Sequence, residues 1–130
     1  MSITHLDHVQ LAMPAGEEPE ARAFFGDLLG LQEIAKPEAL QGRGGVWFAI
    51  SSDRQLHLGV EEGFSPSKKA HPCFVSDDLD RLAEAIQQSD YPVKWDDGLA
   101  PVRRFYSEDC FGNRLEFVDR CTFIADRDSV

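Results

Sequence analysis

The stretches QLHLGV at residues 55–60 and NRLEFV at residues 113–118 decide the fold. In each stretch a single metal-capable side chain, His57 or Glu116, stands between two apolar neighbours. Strand side chains alternate between the two faces of a sheet, so each polar residue points away from its neighbours. If helices cover the apolar face, both polar side chains lie on the opposite, concave face.

The two stretches end two halves of the chain that repeat the order strand–helix–strand–strand–strand. Apolar residues at i, i+3, i+4 and i+7 predict one helix in each half. The stripes are Ala21, Phe24, Phe25, Leu28 and Leu29 in the first half, and Leu79, Leu82, Ala83 and Ile86 in the second. Strands are predicted at 6–13, 31–36, 45–51 and 55–60, then at 71–75, 91–95, 102–108 and 113–118. Ser76 or Asp77 is predicted to cap the second helix.

The polar residues keep register with this repeat. His8 lies in the first strand of its half and His71 opens the first strand of the other, while His57 and Glu116 occupy the fourth strands. If the halves pack about a pseudo-twofold axis, these four side chains converge. Three imidazoles and a carboxylate suit a divalent metal, with Zn, Ni, Co, Mn and Fe all admissible. Such an ion would also compensate the cost of burying the carboxylate.

Composition limits the other possibilities. The 130 residues fit one domain, or two small units that share one core, and the net charge of −10 argues against binding to nucleic acid or an anionic membrane. The opening MSITHLDHVQ lacks the basic and apolar regions of a signal peptide, and no apolar run long enough to span a membrane is present. The three cysteines share no close spacing, so we expect reduced thiols and a cytoplasmic protein.

Several segments resemble the vicinal oxygen chelate superfamily, which includes glyoxalase I, fosfomycin-resistance thiol transferases, extradiol dioxygenases and bleomycin-binding proteins. The segments are LDHVQLAMP, FFGDLLGL, LHLGVEEGF, HPCFVSDDLDRL and RRFYSEDCFGNRLEFVD. Together they cover about residues 4–119, and FYSEDCFGNRLEF resembles the most specific signature of the family, apart from Cys110 where proline is usual. The resemblance implies an α+β fold in which two tandem βαβββ modules, at about 4–62 and 70–119, form a cupped, open barrel with pseudo-twofold symmetry. A short charged tail at 120–130 follows.

The resemblance also implies the roles of single residues. It assigns the metal ligands to His8, His71 and Glu116, with Glu116 also serving as the catalytic proton carrier. It extends to His57 with a departure, because the family more often has Glu or Gln there, so His57 is either a fourth ligand or a wall of the pocket. A homodimer is expected, and the four residues come either from one chain or from two.

Candidate substrate contacts are aromatic and cationic strand residues, namely Trp47, Phe48, Trp95, Arg104 and Tyr106. Aromatic strand residues also serve as ordinary core, and strand parity allows only one of Trp47 and Phe48 to reach the concave face. A guanidinium suits an anionic substrate group, whereas the alternative for Arg103 and Arg104 is a solvated pair at the rim.

Two function classes follow. The first is a metal-dependent enzyme that chelates vicinal oxygens of a small substrate, of the isomerase or lyase, thiol transferase or dioxygenase type. A four-ligand site favours the isomerase, and a site of two histidines and one carboxylate favours thiol transfer or iron-dependent oxygen chemistry. The second is a non-catalytic protein that binds a small molecule or antibiotic and confers resistance.

Overall fold

The computed structural model describes residues 1–128, with side chains to residue 124. The chain divides into two compact units, Met1–Pro66 and Ser67–Val130. Each unit contains one four-stranded sheet and the βαβββ order of elements. The predicted α+β class with two tandem modules is therefore confirmed.

The first unit is built on a mixed sheet. Its elements are strand β1 (His8–Met13), helix α1 (Glu18–Ala21) with a π-helical continuation (Arg22–Leu28), strand β2 (Gln32–Ile34), a 3-10 segment (Glu38–Arg43), strand β3 (Val46–Ala49) and strand β4 (Gln55–Val60). The strand order is β1-β4-β3-β2. Because β1 pairs with β4 in parallel, the first strand lies directly beside the stretch that contains His57.

The first helix departs from the regular period expected of it. Backbone hydrogen bonds run from Leu29 N to Phe24 O, at 3.0 Å, and from Leu31 N to Phe25 O, at 2.9 Å. They span more residues than the hydrogen bonds of an α-helix do. Phe24 and Phe25 are buried as predicted, but Leu28 is only half-buried. The wider π-helical turn accounts for this, because it rotates later residues out of the stripe facing the core.

The second unit repeats the arrangement. Its elements are strand β5 (Cys73–Ser76), helix α2 (Leu79–Gln88), strands β6 (Lys94–Asp96), β7 (Arg104–Glu108) and β8 (Arg114–Asp119), and helix α3 (Arg120–Asp128). The strand order is β5-β8-β7-β6, again with the first strand parallel to the last. His71 precedes β5 instead of opening it. The predicted tail is helical from Arg120 to Asp128, and residues 129–130 lie outside the described residues.

The cap of α2 is one residue beyond the predicted positions. Asp78 accepts a hydrogen bond from Arg81 N at 3.2 Å through its carboxylate, while Ser76 Oγ accepts one from Asp78 N. Ser76 and Asp77 were therefore wrong as N-caps, because the serine closes the turn that leads into the cap.

Strand parity sorts the central residues of each sheet as the sequence predicts. Leu56 and Leu58 are buried, as are Leu115 and Phe117. His57 and Glu116 lie on the other face of their sheets, which we call the open face, and are only 4% and 8% exposed. In the described part of the chain, no helix is both long and apolar enough to cross a membrane.

Candidate functional site

Glu116 on β8 carries the most developed polar constellation of the second unit. Its Oε1 lies 2.9 Å from His71 Nε2, and its Oε2 accepts a hydrogen bond from the Arg104 guanidinium at 3.2 Å. Both carboxylate oxygens are thus engaged in a position that water scarcely reaches. Two basic partners offset the desolvation cost of the buried carboxylate.

His71 is fixed from both ends of its ring. Its Nδ1 lies 2.8 Å from the carbonyl oxygen of Lys69, which accepts only, so Nδ1 carries a proton. That bond leaves Nε2 facing the Glu116 carboxylate. The edge of the ring also contacts Tyr106, with ring centroids 5.6 Å apart. A lone pair on Nε2 would repel the carboxylate, so the gap between them calls for a shared proton or a cation.

Arg104 connects Glu116 to the next strand. Its second terminal nitrogen donates to Asp96 Oδ1 at 3.1 Å, and the guanidinium lies 5.4 Å from the centre of the Tyr106 ring. Asp96 also accepts from Gly98 N, and these two donors lower the pKa of its carboxyl. The open face of the second sheet therefore presents a continuous chain of polar contacts from His71 through Glu116 and Arg104 to Asp96.

The first unit places His57 in a stack of rings. The Trp47 indole lies 3.7 Å from the imidazole and nearly parallel to it, at 2°. The His8 ring lies 4.1 Å from the same imidazole at 19°. His57 Nε2 is 2.8 Å from Gln55 Oε1, which accepts, so this nitrogen donates.

This environment keeps His57 neutral. Burial, and then the neighbouring charge of His8, lower the pKa of His57 to about 4. His8 itself is more exposed, and its Nδ1 lies 3.0 Å from the Asp7 carboxylate. The open face of the first sheet is therefore aromatic and uncharged at its centre.

The second unit brings two potential metal-ligand atoms close together. Two ligand atoms at right angles, each about 2.1 Å from one ion, are about 3 Å apart, which matches the 2.9 Å between His71 Nε2 and Glu116 Oε1. A carbonyl partner on the other ring nitrogen is the usual support of a metal-binding histidine. Among the described residues, no three His, Cys, Asp or Glu side chains gather into a metal-binding group.

The donor set of the first unit fits less well. A metal ion lies in the plane of an imidazole that binds it, and stacked rings 4.1 Å apart do not aim their nitrogens at one point. In addition, Nε2 of His57 is used by Gln55. In this arrangement His57 lies in the ring stack of the open face, and both of its predicted roles, fourth ligand and wall of the pocket, stay predictions.

The predicted substrate contacts separate into two groups. Three of them, Trp47, Arg104 and Tyr106, lie on the open faces of their sheets. Trp47 pairs with His57 and Tyr106 pairs with Glu116 across neighbouring strands, and Arg104 lies two residues before Tyr106 on the same face. Phe48 has no exposed surface and packs against Phe25 in the core. Trp95 pairs with Phe105 on the opposite face from Tyr106, so alternation removes it from the row of Glu116.

The sequence did not reveal that Arg104 pairs with Glu116. It proposed Arg104 as a substrate contact, whereas the structure pairs the guanidinium with Glu116 and Asp96. Arg104 lies opposite Val118, and thus diagonally from Glu116 on the adjacent strand. Diagonal neighbours are within reach of long side chains, so the strand register, had it been known, would have indicated the pair.

Comparisons with known proteins place this geometry among similar folds. The chain is 44% identical to a glyoxalase family protein from Bacillus anthracis, with a TM-score of 0.86, over 92% of this chain and 97% of that one. It also resembles a lactoylglutathione lyase from Agrobacterium tumefaciens, with 20% identity, a TM-score of 0.69 and coverage of 92% and 96%. A third similar structure is TnmS3, an antibiotic-binding protein from Streptomyces sp. CB03234, with 20% identity, a TM-score of 0.69 and coverage of 92% and 98%. No family model matches the chain, and the search of curated proteins found no match.

Proposed function

The chain belongs to the glyoxalase family, and on that premise we propose that it is a metal-dependent enzyme acting on a small substrate with vicinal oxygens. The observation that carries the proposal is the approach of His71 Nε2 to Glu116 Oε1 at 2.9 Å. That separation suits two ligands of one divalent ion, of the Zn, Ni, Co, Mn or Fe class.

The surrounding residues support this role. Lys69 O holds the proton of His71 on Nδ1, which leaves Nε2 available as a ligand. Arg104 holds Oε2 of Glu116 and turns Oε1 towards the histidine. The pair is thus arranged before any ion binds, and preorganised ligands lose little conformational entropy on binding.

The chemistry divides between the ion and the chain. A bound divalent ion would polarise substrate oxygens and stabilise the negative charge that develops on them. Glu116 would alternate between two roles at Oε1, ligand of the ion and proton carrier, while Arg104 donates a hydrogen bond to Oε2. Of the isomerase, lyase, transferase and dioxygenase types, the proposal commits only to this shared use of vicinal oxygens. His8 is retained in it as a further ligand.

Metal titration tests the proposal. Calorimetry of the protein with Ni²⁺, Zn²⁺, Co²⁺, Mn²⁺ and Fe²⁺ should show stoichiometric binding of at least one ion. His71→Ala removes a ligand and Glu116→Gln replaces a carboxylate ligand by a neutral amide, so each should weaken metal binding by about 10-fold to 100-fold. The matched control is His5→Ala, since His5 is exposed and its Nδ1 lies beside Thr4. Absence of binding to all five ions, or equal binding by the His71 and His5 variants, would contradict the proposal.

A second candidate is a non-catalytic small-molecule binder, in keeping with the similarity to TnmS3. The specific observation in its favour is that two basic side chains of the chain itself, His71 and Arg104, pair with the two carboxylate oxygens of Glu116. The stacked Trp47 and His57 rings would offer such a ligand a flat aromatic surface. Protection of cells against a compound that the purified protein leaves chemically intact would support this candidate over the enzyme.

We further propose a cytoplasmic homodimer. The three cysteines form no disulfide within the described residues, and Ile3 and Leu6 leave apolar side chains exposed next to β1. Light scattering after size exclusion should give twice the mass of the chain. A monomer at micromolar concentration would contradict the dimer.

A further inference from the structure

A cationic groove lies on the open face of the second sheet, beside the His71–Glu116 pair. It has a volume of about 290 Å³, and Tyr106 on β7 is one of the residues that line it. The charged residues of its lining are three cations, Lys68, Lys94 and Arg114, and two acids, Asp96 and Glu108. The whole chain has 13 lysines and arginines against 23 acids, so a lining with three cations and two acids differs in the sign of its net charge from the rest of the molecule.

The positive charge of the groove is only partly neutralised. Glu108 lies 4.0 Å from Lys68, and Asp96 is taken up by Arg104. Neither Lys94 nor Arg114 takes part in an ion pair among the described residues. Arg114 stacks instead on the Tyr106 ring, with the guanidinium carbon 4.2 Å from its centre. A guanidinium stacked on an aromatic ring keeps its N–H edges available to a ligand.

The groove adjoins the proposed metal ligands. Tyr106 pairs directly with Glu116 across β7 and β8, and with Lys94 across β6 and β7. Its ring also touches the edge of His71. Residues paired across neighbouring strands have Cβ atoms about 5 Å apart, so one small molecule can span the row.

We propose that this groove binds a compact oxyanionic group, a carboxylate or a phosphate, of a small substrate whose other end reaches His71 and Glu116. Arg114 would supply directed N–H donors, and Lys94 and Lys68 would supply point charges. The second half of this inference, that the same substrate reaches His71 and Glu116, rests on the proposed function. The first half makes that substrate an anion. The groove itself requires no metal.

Anion titration of the metal-free protein tests the groove. Inorganic phosphate and acetate are added separately at constant ionic strength, and backbone amide shifts are followed by NMR. At least one anion should give saturable shifts at Lys94, Tyr106 and Arg114, and the anion that saturates identifies the preferred chemistry. If neither anion shifts these amides, the inference is wrong.

Charge-matched variants separate the groove from general electrostatics. Arg114→Gln and Lys94→Gln should each weaken anion binding about fivefold or more, because each removes one close cation. Arg120→Gln makes the same change of net charge at an exposed residue that pairs with Asp77, and should weaken binding less than about twofold, because salt screens distant charges. Equal losses in Arg114→Gln and Arg120→Gln would overturn the inference.

The failure of the groove and the failure of the proposed function are distinguishable. Metal binding without anion binding removes the groove and leaves the metal-dependent function. Anion binding without metal binding keeps the groove and overturns the metal-dependent function instead.

Discussion

The two sheets share one topology but compensate their central polar residue in opposite ways. In the first unit, His57 is enclosed between the Trp47 and His8 rings and loses its charge. In the second unit, Glu116 occupies the equivalent strand and is held between His71 and Arg104. A duplicated backbone therefore fixes where a polar residue stands, and the residues of neighbouring strands decide its chemistry.

Both solutions follow from the same desolvation cost. Burial disfavours the charged form of a group, so an imidazole becomes neutral while a carboxylate needs cations. Neutralisation leaves His57 suited to contacts with an uncharged, flat ligand surface. Ion pairing leaves Glu116 suited to cations and to proton transfer. Under the proposed function, the second sheet is therefore where we expect the chemistry.

The strongest test of this contrast is Glu116→Ala. Removing the carboxylate leaves Arg104 with Asp96 alone, and Nε of Arg104 is already buried without a hydrogen-bond partner among the described residues. Loss of one partner of a buried ion pair costs about 3 kcal/mol of unfolding free energy. Urea denaturation measures this loss.

Glu33→Ala is the matched control for that loss. Both carboxylate oxygens of Glu33 likewise have hydrogen-bond partners, here both from Arg22, but at an exposed position on the first sheet. Its removal should cost less than about 1 kcal/mol, as for other exposed pairs. Similar losses in the two variants would mean that burial does not distinguish the two carboxylates.

The second test uses the pH dependence that His57 gives to the first unit. Its pKa falls from 6.5 to about 4 on folding, so the unfolded state binds a proton first as the pH drops. Titration of His57 therefore leaves the free energy of unfolding at its full value above pH 6.5. As the pH falls towards 4, it lowers this free energy by roughly 3 kcal/mol. Urea midpoints between pH 7 and pH 4 should decline less steeply in His57→Gln than in the unchanged protein.

His5→Gln provides the control, because His5 is exposed near the start of the chain. Its pH profile should follow that of the unchanged protein. If His57→Gln retains the full decline, then other groups cause it and the enclosure of His57 between rings has no effect on stability.

The contrast also shows what the sequence makes predictable. The two modules, and the sheet faces on which His57 and Glu116 lie, follow from the local spacing of apolar residues along each strand and helix. The Trp47 stack and the Arg104 bridge depend on strand register, which periodicity does not supply. The local sequence also does not decide which residue caps α2, because Ser76, Asp77 and Asp78 all carry side-chain acceptors that suit an N-cap.

The third test concerns the bridge that Arg104 forms between Glu116 and Asp96. Arg104→Gln removes charged hydrogen bonds to Glu116 and Asp96, and should cost about 2 kcal/mol. A double-mutant cycle with Glu116→Gln should give a coupling energy of about 1 kcal/mol or more, since residues in direct contact do not act additively. Additive losses would show that the two residues do not stabilise each other, and would leave Glu116 dependent on His71 alone.

The smallest effect is expected from Trp47→Phe, which exchanges one ring for a smaller one in the stack on His57. Stability should fall by about 0.5 kcal/mol, within the range of single aromatic contacts. Because burial is the main cause of the lowered pKa of His57, a smaller cover should raise that pKa towards 6.5, as followed through the imidazole protons by NMR. Tyr106→Phe in the second sheet keeps its ring beside Arg114 and His71, and should leave the His57 titration unchanged. If the pKa of His57 keeps its original value in Trp47→Phe, then the charge of His8, and not the indole, keeps His57 neutral.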